Sequence, residues 1–77
     1  MRMDQLLKFL KEEIGPDKAT NSLVIQLNIN QIMNLLSMVK NPRVVLHDSL
    51  SQMFADDEEP LGKIETVFNI ITSTIQI

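Results

Sequence analysis

A mainly α-helical fold is what the sequence predicts: a small bundle of about four short helices, with a minimal two-stranded sheet over residues 23–27 and 73–77 as an open addition. Three observations lead there. Apolar residues recur at spacings of three and four along most of the chain, the mark of a helix face. The three prolines fall between these runs, where helices stop or start. With 44% hydrophobic residues, the chain is too apolar to stay disordered.

The first run places Met3, Leu6, Leu7, Leu10 and Ile14 on one face and predicts a helix over 3–14. Asp4 and Lys8 stand four apart on its solvent side, a spacing that favours an ion pair. Gly15 and Pro16 then stop it. In "NSLVIQLNI", Leu23, Ile25, Leu27 and Ile29 alternate with Val24, Gln26 and Asn28, so residues 23–27 read as a short extended segment. Asn28 suits an N-cap, with Gln31 three residues on as its capping-box partner and Leu27 and Ile32 placed for a hydrophobic staple. A helix over about 29–40 follows, with Lys40 favourable at its C-terminus.

Asn41 and Pro42 open the next helix, in which Leu46, Leu50, Met53 and Phe54 form the stripe. The rival is a strand at "RVVLH" followed by a shorter helix capped by Asp48. Four consecutive acids, Asp56 to Glu59, then Pro60, make an exposed turn. Beyond it Leu61, Ile64, Val67, Phe68, Ile71 and Ile75 recur at helical spacing. The β-branched ending "ITSTIQI" could instead extend and pair with "LVIQL".

The 77 residues read as one domain, near the size at which a lone core supplies only about 3–5 kcal/mol. A second subunit or a partner would add to that. No cysteine is present, which leaves neither disulfides nor thiolate metal sites and suits a cytoplasmic location. The formal charge of −3 argues against broad, sequence-independent binding to nucleic acid or anionic membrane. The opening "MRMDQLLKFLKEE" carries acids and lacks a small-residue cleavage site, so it does not read as a signal peptide.

Chemistry is hard to find. His47, Asp48 and Ser49 stand in a row, but adjacent helical side chains point about 100° apart and cannot form a relay. The acidic run lacks the alternating ligands and central glycine of a calcium loop, one histidine makes no zinc set, and two glycines make no phosphate-cradling loop. No enzyme, no metal, no cofactor and no small-molecule substrate are expected.

Binding is the remaining class. From Ala19 to Val39 there is no charged side chain, although the chain is 22% Asp, Glu, Lys and Arg. The stretch is long enough for a bilayer, yet its many amides and hydroxyls argue against a membrane span. The segment Thr66 to Ile77 is charge-free too. Fixed patches without charge resemble the centre of a protein interface. The sequence therefore predicts a non-enzymatic regulator, inhibitor or adaptor of a larger protein assembly, as a homodimer or on a foreign target. Its contact residues would be Ile25, Ile29, Asn30, Met33, Val67, Ile71 and Ile75, of which the apolar ones are equally candidates for the core of a monomer. Small acidic viral or phage inhibitors and adaptors are one population of this kind, by analogy of class alone. The alternative is a helix-turn-helix DNA-binding transcription regulator presenting Lys40, Arg43 and His47. Against it stand Asp48 in the reading helix and the scarcity of cations.

Overall fold

Leu6, Leu10 and Ile14 stand four apart, and in a regular α-helix each such step rotates a side chain by about 40°. Two steps would swing Ile14 well away from the face that Leu6 occupies. The computed structural model, which describes residues 3–77, shows how the chain avoids this. Helix α1 (Met3–Phe9) passes into a π-turn over Leu10–Ile14, whose wider winding returns Ile14 to the stripe. All three residues are fully buried. Gly15 ends the turn at φ 69°, ψ 155°, a backbone region that is essentially glycine's alone, and donates its N–H to the Leu10 carbonyl.

Residues 23–27 are helical, and this corrects the sequence expectation. Helix α2 (Ser22–Leu27) starts at Asn21, whose Oδ1 accepts the N–H groups of Leu23 (3.0 Å) and Val24 (3.4 Å). That cap satisfies donors a strand would have left to a partner strand. Asn28 does not cap helix α3 (Ile29–Leu36) with its side chain. Its Nδ2 instead donates back to the Val24 carbonyl at 3.0 Å, while its own carbonyl accepts from Gln31 and Ile32. Asn28 thus closes one helix and opens the next, and α2 and α3 run on as a nearly continuous pair.

Helix α3 stops at Leu36, short of the expected Lys40. Ser37 Oγ takes the Asn34 carbonyl at 2.8 Å, and Asn41, which precedes Pro42, is kept out of helical geometry at φ −124°, ψ 76°. Helix α4 (Pro42–Met53) carries Pro42 in its first turn, and the strand alternative for "RVVLH" falls. Asn41 gives this helix no side-chain cap.

Helix α5 (Pro60–Ile75) includes the β-branched ending. The hydroxyls of Thr66, Thr72 and Thr74 each bond a carbonyl four residues back at 2.8 Å, which satisfies them without leaving the helix. The residues expected to pair as a minimal sheet are therefore both in helices, and no strand occurs among the described residues. The bundle has five helices because 23–27 adds one to the expected four.

Helix α4 packs between α1 and α5, while α5 also carries α2 and α3. Leu6, Leu10, Ile14, Ile25, Ile32, Leu46, Leu50, Phe54, Val67 and Ile71 have no exposed surface and meet in one cluster. Leu61, placed on the α5 stripe by its spacing, stands outside at 79% exposure. No described helix is long and apolar enough to cross a membrane.

Candidate interaction surface

The charge-free segment might have been the centre of the core, but most of it faces outward. Between Ala19 and Val39 only Ala19, Ile25, Ile32 and Leu36 are buried. Ile25, Ile29, Ile32 and Leu36 form the inward stripe, spaced four, three and four. Leu23, Leu27, Asn30 and Asn34 repeat that spacing on the opposite side of the same helix pair. Leu23 is 63% exposed and Leu27 77%, and Met38, 81% exposed just beyond α3, prolongs the outward line. Met33 flanks it at 46%. Gln26, Gln31 and Ser37 are exposed around it. A face of leucine, methionine and neutral amides results, with no ionisable group on it.

The residues expected to touch a partner divide accordingly. Ile25, Val67 and Ile71 lie wholly inside the bundle, and Ile29 and Ile75 are half-buried. Asn30 and Met33 are exposed on the outward face of α3. Leu23, Leu27 and Met38 went unnoticed because their segment was read as extended. Their four-three-four register with Asn30 and Asn34 was nevertheless present in the sequence. The second charge-free segment is less apolar outside: Thr66, Asn69, Ser73 and Thr74 form the exposed side of α5.

Lys40, Arg43 and His47, the candidates for nucleic acid, lie at the start of α4. Lys40 is exposed. The Arg43 guanidinium lies 5.5 Å from the centroid of the Phe68 ring and donates from Nη1 to the Ile77 carbonyl at 2.9 Å. The His47 ring meets Phe68 edge-on, with centroids 5.4 Å apart. Both side chains therefore help hold α4 against α5. The shallow cleft they line with Val44, about 290 Å³, is also edged by Asp48.

In the acidic turn, Asp56, Glu58 and Glu59 face solvent as expected. Asp57 is tucked in: Lys63 Nζ donates to its Oδ2 at 2.8 Å and the Glu59 N–H to its Oδ1 at 3.1 Å. The Lys63 hydrogen bond, and then the backbone N–H, hold the Asp57 carboxyl below its ordinary range, and the same bond raises the Lys63 ammonium. This is the one ion pair among the described residues; Asp4 and Lys8 do not form theirs. No cluster of three His, Asp or Glu side chains suited to a metal ion occurs among those residues.

Comparison with family models, curated proteins and solved structures gives no match to this chain.

Proposed function

We propose that the protein is a non-enzymatic binding module, a regulator, inhibitor or adaptor that acts on protein through the outward face of α2 and α3. The observation that carries this reading is the composition of that face. Leu23, Leu27 and Met38 are more than 60% exposed on a surface with no lysine, arginine, aspartate or glutamate. Isolated exposed leucines are ordinary, but here they line up on one side of one helix pair. Elsewhere the same chain uses charge outside: Asp4, Lys8, Lys11, Glu12 and Glu13 are exposed on the first helix and its π-turn, apart from the neutral face.

Nucleic-acid binding ranks second. Arg43, which would have to reach phosphates or bases, already stacks on Phe68 and bonds Ile77, and Asp48 beside it opposes phosphate.

Substitution at Asn30 tests the primary reading, since its side chain is exposed and contributes nothing to the core. Asn30→Lys should weaken capture of a protein partner while leaving the helical circular-dichroism spectrum and melting temperature unchanged. A charge change on the first helix, Glu12→Lys, should leave capture intact. Capture indifferent to Asn30→Lys and abolished by Glu12→Lys would overturn the assignment of the surface.

A further inference from the structure

We infer that the face of α2 and α3 takes a second copy of this chain, with the two helix pairs running antiparallel about a two-fold axis near Asn30. This rests on the reading of that face as a binding surface and adds the identity of its occupant.

The first argument is electrostatic self-complementarity. In a two-fold contact the same patch meets itself, so a charged group near the axis faces its own like charge. A protein of net charge −3 can pair with itself only where its acids are kept away, and the outward face of α2 and α3 carries none. Asn30, Gln31 and Asn34 both donate and accept, so each can pair with an identical amide. A face adapted to a foreign partner would gain from one sign of charge, which steers encounter and rejects wrong partners. No such sign is present.

The second argument is register. Reflecting residue numbers about Asn30 sets Leu27 opposite Met33 and Leu23 opposite Ser37, next to Met38. The N-terminal half of the stripe supplies the leucines and the C-terminal half the methionines. Antiparallel pairing therefore gives each exposed apolar side chain an apolar or neutral counterpart. Parallel pairing would stack Asn30 and Asn34 in consecutive layers on their own copies and leave the methionines at one end.

The third argument is area. A stable interface covers roughly 800 Å² on each partner, about a sixth of the 4900 Å² that this chain exposes. One helix pair with a single exposed stripe covers somewhat less, and the rim is amide-rich. The dimer is therefore expected to dissociate at concentrations on the order of micromolar.

The test is the mass of the full chain by light scattering or sedimentation across a hundredfold range of concentration, with two charge variants and their combination. Leu23→Lys and Met38→Asp each alter an exposed side chain, so circular dichroism should show both folded. Each alone should shift the chain to monomer. The double variant should regain dimer, because the two new charges meet only between antiparallel copies; within one copy they stand about 20 Å apart along the helix pair. A wild-type chain that stays monomeric overturns the second copy. Partner capture that still depends on Asn30 would then keep the binding surface itself. A dimer indifferent to both single variants overturns the surface as well as the occupant. A dimer lost in the single variants and not regained in the double overturns the antiparallel arrangement.

Discussion

The first helix with its π-turn and the α2–α3 pair solve the same problem on their inner sides and opposite problems on their outer ones. Each offers a stripe of leucine and isoleucine to the same core: Leu6, Leu10 and Ile14 from one, Ile25, Ile32 and Leu36 from the other. Outward, the first presents aspartate, lysine and glutamate, while the second presents leucine, methionine and neutral amides. Folding asks only that the outer face tolerate water, and charged residues do that better than Leu23 or Leu27. The outer face of α2 and α3 thus answers to something other than the stability of the monomer.

The comparison breaks if the inner stripes are not equivalent. Leu10→Ala and Ile32→Ala each remove a fully buried side chain, so each should cost about 2–5 kcal/mol in urea or thermal unfolding. For a chain of this size either change consumes most of the stability. A large loss at Leu10 with almost none at Ile32 would mean that the α2–α3 pair is only loosely docked, and its exposed leucines would then need no partner to explain them. A smaller effect sharpens the same point. Asn21→Ala removes the cap that starts α2 and should cost about 1 kcal/mol; Asn28→Ala removes a single bond to Val24 and should cost less. The reverse order would place the decisive cap where the sequence pattern first suggests it.

That suggestion shows how far sequence pattern reaches. The helices of Met3–Ile14, Pro42–Met53 and Pro60–Ile75 were legible because apolar spacing, prolines and the glycine at 15 agree on them. Leu23, Ile25, Leu27 and Ile29 fit a strand by alternation and a helix by their neighbours at Ile32 and Leu36. Two asparagines, Asn21 and Asn28, compete as the cap, and only the tertiary fit of Ile25 into the core decides between them. The π-turn was not legible, since nothing local demands it; it answers the need to bring Ile14 into line with Leu10. The candidate surface was half legible. Missing charge marks the segment, but two stripes of identical spacing run along it, and spacing alone does not say which one faces water. The aliphatic stripe of Ile25, Ile29, Ile32 and Leu36 went in, leaving the mixed stripe of Leu23, Leu27, Asn30 and Asn34 outside.

The smallest effects separate the two regions by what they fail to sense. The α2–α3 face carries no titratable side chain, so association through it should be unchanged by salt and flat between about pH 5 and pH 9. The acidic turn should respond, weakly and only at the extremes. Asp57 has a lowered pKa in the fold, so its contribution is present above the ordinary carboxylate range and is lost as pH falls through the lowered value. Lys63 has a raised pKa, so its contribution is present below the ordinary lysine range and is lost as pH rises through the raised value. The pair is partly exposed, so added salt should shrink both effects. Melting temperatures of wild type and Lys63→Met, followed from acid to alkali, should therefore differ slightly across the neutral range and converge at both ends. Association that instead fades with salt near neutral pH would place a charged residue in the contact and move the interface off α2 and α3, onto α1 or the acidic turn.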